Sequence, residues 1–402
     1  MDAAEVQAQR RNLSDPLIEQ LAASEDPVLA YKSSLLAGLD PNSAKARSMR
    51  ERIPSSAIAR ALLRVFEQDA KTLHHTYRKW QGPHWTLTCL AMIDYPAGDE
   101  RLRPLVRQVH DWLFSKHFLL PPMTASFSGQ EDRVRHCASM DGNAIWYSVR
   151  LGLELDRTRD AVDRLIGWQW PDGGWNCDKR REATHSSFQE SLIPARGLWA
   201  YGRAHDYAPA LEAAQWVADL MLQRRLLWHR SDDSLIVPDW AGKPGPDRIH
   251  YPIQFFDVLF ALQVMADLGR LGDPGCSDAL GLLESKWLPG GGFPLEAPNT
   301  VTADHVMSRG SYADWGPSGL RRCNPLVTLA ALAVLRTKTS GHQAGSEGSL
   351  PRSGLHGWPQ APRHGPRSVA DATSGSSPVR NADVRTDIGY DRADQRASFR
   401  RR

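Results

Sequence analysis

Apolar residues recur at helical spacing along most of this chain, in two distinct patterns. Trp85–Tyr95, Asn143–Asp156, Gln189–Arg203, Gln254–Arg270 and Asn324–Arg336 are apolar on nearly every face, which predicts helices buried all round. Between them lie helices with one apolar stripe. Leu102, Val106, Val109 and Leu113 fall at i, i+4, i+7 and i+11; Leu211, Ala214, Ala218 and Met221 fall at i, i+3, i+7 and i+10; Val162, Leu165 and Ile166 make a shorter stripe. A single stripe buries a single face, so these helices belong outside the first set. Turn-forming runs punctuate the series: Pro96-Ala97-Gly98-Asp99, Asp156-Arg157-Thr158, Gly202 to Pro209, and Gly272-Asp273-Pro274. Upstream, Val28–Leu39 and Ala57–Glu67 read as helices, with Pro27 and Pro54 near their starts.

Inner and outer helices therefore alternate. Aligning the inner ones at Leu87, Ser148, Pro194, Ala261 and Val327 gives spacings of 61, 46, 67 and 66 residues, an irregular repeat with loops of variable length. The expectation is an all-α fold of helical hairpins, closed into an α/α toroid or left as an open solenoid. Residues 1–80 are expected to pack on the ring, 81–336 to form it, and 337–402 to be a disordered tail. That tail is rich in Gly, Ser, Pro and Arg and poor in aliphatic residues, so it buries too little to offset the entropy of ordering.

Charge and composition narrow the function. Residues 337–402 carry 11 Lys and Arg against 6 Asp and Glu, while the whole chain is only +3. The remainder is thus slightly acidic, which argues against a nucleic-acid partner. Five cysteines, Cys89, Cys137, Cys177, Cys276 and Cys323, are widely spaced with no Cys-x-x-Cys, as expected of a reducing compartment. The polar start Met1-Asp2-Ala3-Ala4-Glu5 does not resemble an export signal, so a cytoplasmic location is expected. No apolar run reaches 18 residues, which leaves peripheral contact as the open form of membrane association. The 14 tryptophans suit a core or the walls of an apolar cavity.

The sharpest motif is Trp168-Gln169-Trp170-Pro171-Asp172-Gly173-Gly174-Trp175, echoed by Leu288-Pro289-Gly290-Gly291-Gly292-Phe293. The glycines permit a tight reversal after a helix. The tryptophan is expected to fold back on the turn, and the glutamine to bond exposed backbone at a neighbouring helix. This segment resembles the QW motif of squalene and hopene cyclases. The stretches Lys79-Trp80-Gln81-Gly82-Pro83-His84-Trp85, Gly174-Trp175-Asn176-Cys177-Asp178 and His185-Ser186-Ser187 are similar to bacterial toroid proteins of unassigned activity. The resemblance spans residues 80–336 and implies the α/α toroid of terpenoid cyclases and protein prenyltransferase β-subunits, with an isoprenoid or other small apolar substrate.

Motifs of those families are nonetheless missing. There is no Asp-x-Asp-Asp proton donor; Asp232-Asp233 lies in a polar stretch with Ser231 and Ser234. There is no Asp-Asp-x-x-Asp to hold magnesium on a diphosphate. The prenyltransferases bind zinc through Asp-x-Cys and a distant histidine, whereas Cys177 and Asp178 are adjacent here.

Candidate chemistry follows from polar residues in apolar helices. Under the alignment above, Glu190, Asp257 and Cys323 occupy one ring position, with Asp141 close by; Glu190, Asp257 and Asp141 are the candidate catalytic acids, and helix capping is their bland alternative. His84, His136, His185 and His250 each precede an inner helix. With Cys137 they enlarge a candidate zinc set of His185, Cys177, Asp178 and Cys323. Trp146, Trp175, Tyr251, Phe255 and Trp315 are candidate walls of the substrate cavity, and Arg322 a candidate diphosphate contact. Three functions compete: an isoprenoid enzyme of prenyltransferase or cyclase type, a carbohydrate-active (α/α)-barrel using paired carboxylates, and a binding or scaffold protein without chemistry.

Overall fold

The structure is a computed structural model that describes residues 14–64, 75–119, 127–229, 234–236, 245–252, 256–302 and 310–344. Phe255, the Asp232-Asp233 pair and the tail from residue 345 onward lie outside the described residues. The fold is mostly helical, and the strands among the described residues are four two-residue segments. The helices are α1 (14–22), α2 (Pro27–Leu36), α3 (Ala44–Glu51), α4 (Ala57–Leu63), α5 (Pro83–Met92), α6 (Arg103–Leu113), α7 (Lys116–Leu119), α8 (Ala138–Leu151), α9 (Asp156–Gly167), α10 (Phe188–His205), α11 (Ala208–Leu222), α12 (Val258–Asp267), α13 (Ser277–Ser285) and α14 (Pro325–Ala344).

The two classes of helix appear as the pattern predicts. In α5, α8 and α12 nearly every residue is buried, whereas α6, α9 and α13 bury one stripe. Helix starts follow local chemistry: Asp26 accepts from the amides of Val28 and Leu29 at the start of α2, and Ser43 and Ser56 cap α3 and α4. Helix α8 ends where Gly152 turns into the left-handed region, φ 62°. Helix α14 continues past Arg336, where the apolar pattern fades, to Ala344.

Helices α8 and α10 pack in close contact. A methyl on Gly142 would lie 2.5 Å from Cα of Pro194, so this approach needs glycine there. Pro194 sits inside α10; lacking an N–H, it leaves the carbonyl of Glu190 without its helical donor.

The turn motif behaves as its residue types imply. Gln169 Nε2 donates to the carbonyls of Gly173 (2.7 Å) and of Ala213 on α11 (2.9 Å). Trp175 Nε1 reaches back to Leu165 O on α9, 3.0 Å away. The echo shares this geometry. Trp170 N donates to Gly174 O and Leu288 N to Gly292 O; the next helix is then tied on by Ser187 N to Trp175 O and by Asn324 N to Phe293 O. Trp175 N donates to Ser191 Oγ, just as Phe293 N donates to Thr328 Oγ1.

These bonds pair Ser187 with Asn324 and Ser191 with Thr328, so Glu190 corresponds to Val327 and Cys323 to Ser186. The expected equivalence of Glu190 and Cys323 is therefore off by about one helical turn. The two segments have loops of different length, and spacing alone cannot fix their register.

Residues of six helices, α2, α5, α8, α10, α12 and α14, line one cavity. Residues 1–80 do more than pack on the outside: Lys32, Leu35 and Leu36 of α2 form part of this wall. Helix α14 packs against α2 as well as α12, and Arg336 Nη1 donates to Leu36 O at 2.6 Å. No helix among the described residues is long and apolar enough to cross a membrane.

Candidate functional site

The cavity holds about 150 Å³. Its apolar wall includes Met92, Trp146, Trp199, Tyr251, Leu329 and Val334. Tyr251 meets Trp315 edge-on, ring centres 5.4 Å apart. Of the predicted wall residues, Trp146 and Tyr251 line the space, and Trp315 stands behind Tyr251. Trp175 is fully buried against the end of α9; its indole holds the turn and does not face the cavity.

Charged groups are set into this apolar wall. Asp94 pairs with Lys32 at 2.6 Å and with Arg150, while Arg50 donates to the carbonyls of Asp94 and Tyr95. Arg196, from the middle of α10, is 7% exposed. Its guanidinium lies 3.7 Å from the centre of the Trp146 ring and 4.9 Å from that of Phe260. Nη2 donates to Asn143 Oδ1 at 3.0 Å, but Nε is buried with no hydrogen-bond partner. Burial pulls the guanidinium pKa down to about 9, with the Asp267 carboxylate opposing that fall. Lys32, Arg150 and Arg196 against Asp94 and Asp267 leave the lining one charge positive. Sequence reasoning missed all three cations. Arg150 and Arg196 are legible only as cations set within mostly apolar helices.

Arg322, the predicted anion contact, is exposed and is not among the cavity-lining residues.

The three candidate acids are each engaged elsewhere. Asp141 is fully buried, 2.5 Å from His136 Nε2, and ion-paired with Arg164. Burial pushes its carboxyl up, but the His136 and Arg164 charges and hydrogen bonds together hold it below the usual carboxylate range. Asp257 caps α12, accepting from Phe260 N at 2.7 Å and His250 N at 2.6 Å. Its pKa rises to about 7, chiefly through desolvation. Both carboxylates are thus occupied by structural contacts, and neither lines the cavity.

Glu190, in the first turn of α10, is different. Its Oε2 accepts from Ser139 N on α8 at 2.8 Å, and its Oε1 lies 3.5 Å from Cys177 Sγ. Cys137, directly before α8, completes a cluster whose ligand atoms all lie within 4.8 Å of one another. Burial is the main cause that lifts the Glu190 carboxyl above its ordinary range.

The predicted metal set is not assembled. Cys177 belongs to the Cys137–Glu190 cluster, which is the one such group among the described residues. His185 is exposed, Asp178 pairs with Arg180 at 2.5 Å, and Cys323 Sγ lies 3.5 Å from Thr328 Oγ1. The set combined residues from two different turns of the repeat, which the fold keeps apart.

Comparisons with protein-family models, curated proteins and solved structures returned no match.

Proposed function

We propose that the chain is an α/α toroid in which the six inner helices hold a small apolar molecule with an anionic head, as in an isoprenoid-related enzyme of the prenyltransferase or cyclase type. One observation carries this reading: a buried guanidinium with a free donor, stacked on Trp146, in the wall of an otherwise apolar and aromatic cavity. A buried cation with an unsatisfied donor is costly, and a ligand anion would offset that cost. The aromatic walls would hold the hydrocarbon part and favour any cationic carbon formed beside them. The packing of α14 on α2 supports the closed ring.

The cavity volume of about 150 Å³ lies below the ~300 Å³ at which most small-molecule sites begin. It favours a short chain; a triterpene would have to displace lining side chains. No aspartate cluster of the proton-donor or diphosphate–magnesium type stands among the cavity residues, so the head group would be held by Arg196, with Lys32 and Arg150 nearby.

The test is a titration of tryptophan fluorescence with geranyl, farnesyl and geranylgeranyl diphosphates and with squalene. The expected result is saturable quenching that is strongest for the shortest diphosphate and at least ~10-fold weaker in Arg196→Met, the loss on removing about one charge-assisted hydrogen bond. No saturable response to any of the four would overturn the reading.

A further inference from the structure

We propose that Cys137, Cys177 and Glu190 form a zinc-binding site at the opposite end of the inner helices from the charged cavity wall. The inference does not depend on what the cavity binds. Cys137 precedes Trp146 by nine residues, about 13 Å along α8 at ~1.5 Å per residue.

The geometry is that of a ligand set. A thiolate at ~2.3 Å and a carboxylate oxygen at ~2.0 Å from a tetrahedral zinc stand about 3.5 Å apart. Cys177 Sγ and Glu190 Oε1 are 3.5 Å apart, and Cys137 Sγ lies within 4.8 Å of both. Two sulfurs and one carboxylate suit zinc over calcium or magnesium, which take oxygen ligands alone.

The surroundings orient and stabilise such ligands. Ser139 N–H holds the second carboxylate oxygen at 2.8 Å, fixing the orientation of Glu190 in the manner of an outer-shell donor. Cys137 stands at the N-cap of α8 and Glu190 in the first turn of α10, where the positive ends of two helices favour anionic ligands. Glu190 is buried, and its bonded partners are an amide and a thiol, with no cation. The cationic group acting on it is His136, which is itself bound to Asp141, and a metal would place positive charge directly on the carboxylate. Both cysteines are half-buried, so an ion can reach them. Three protein ligands leave the fourth position open to water or a ligand atom, the arrangement of a reactive zinc site more than of a closed structural one.

The test uses the full chain, purified under reducing conditions and without a metal-affinity tag. Zinc is counted by plasma mass spectrometry after equilibration with excess zinc and removal of loose ion, and cobalt(II) is titrated into the stripped protein. The expected result is one zinc per chain and a near-ultraviolet thiolate-to-cobalt charge-transfer band. Cys137→Ser and Cys177→Ser should each abolish the band and lower zinc affinity at least ~100-fold, whereas Cys323→Ser leaves both unchanged. Wild-type protein that retains no zinc and shows no cobalt band would overturn the proposal. So would a chain isolated two hydrogens light, with Cys137 and Cys177 joined as a disulfide. The cobalt band is read on wild-type protein, so a serine variant that fails to fold leaves the test intact.

Discussion

Gly197 of α10 sits directly against the backbone of Gly142 on α8: a methyl placed on Gly197 would lie 2.3 Å from the Gly142 carbonyl oxygen. The obstacle is backbone, which cannot swing aside as a side chain can. Gly197→Ala should therefore push the helices apart and cost about 1–3 kcal/mol, the usual price of overpacking. Urea denaturation measures it. A midpoint within error of wild type would mean that the two helices are not in contact.

Arg196 and Trp146 bear on what the cavity is for. If the guanidinium awaits a ligand, the ligand-free protein carries it at a cost. Replacing it with an apolar side chain of similar length should then not harm the fold. Arg196→Met is expected to be no less stable than wild type, with a gain on the order of 1 kcal/mol from removing the unpartnered Nε. A loss of ~3–5 kcal/mol, typical of breaking a buried ion pair, would instead make Arg196 a structural residue and not a contact for a ligand anion.

The helices were legible in the sequence because burial leaves a periodic trace: Val106, Val109 and Leu113 of the predicted stripe lie on the buried face of α6, and Leu102 is buried in the turn just before it. The turn at Trp170–Gly174 was legible because few residues tolerate such a reversal; Gly173 has φ 99°. The site was far less so. Glu190, Cys177 and Cys137 are each candidates on the sequence alone. What joins them is the packing of α8 on α10, and contacts between distant segments leave no periodic signal. The cations of the cavity were missed because Arg196 lies in a helix whose composition announces burial, while Lys32 lies in a segment expected outside the ring. The one-turn slip between Glu190 and Cys323 has the same origin, since the register across repeats is set by hydrogen bonds such as Phe293 N to Thr328 Oγ1.

Asp141 is expected to matter for stability and not for chemistry. Its partner His136 is buried and Arg164 half-buried, with side chains 1% and 10% exposed. Asp141→Asn keeps the shape but strands the Arg164 charge, at a cost of about 3–5 kcal/mol. The carboxyl is held below its ordinary range in the folded state, so its contribution is present above pH ~4 and is lost as pH falls through the folded value. Thermal denaturation of the variant at neutral pH checks this. An unchanged melting temperature would refute the structural role and return Asp141 to the list of candidate acids.

Asp257 should show the opposite dependence on pH. Its pKa is raised to about 7 in the folded chain, against ~3.9 when exposed. Between these values the folded state binds more protons than the unfolded state, so rising pH lowers stability through this group. The groups facing it are His250, with Nδ1 3.8 Å from Oδ2, and the Glu296 carboxylate, whose charge adds to the upward shift. Asp257→Asn removes the titration and keeps one capping oxygen for Phe260 N, at the expense of the bond from His250 N. The stability of wild type relative to Asp257→Asn should accordingly fall between pH ~4 and ~7, by up to a few kcal/mol, and be level outside that window. Denaturation of both proteins in parallel across this range isolates the group, because other titrations largely cancel in the difference. A difference that rises with pH would mean that the carboxylate is stabilised by its helix end and amide donors more than it is penalised by burial.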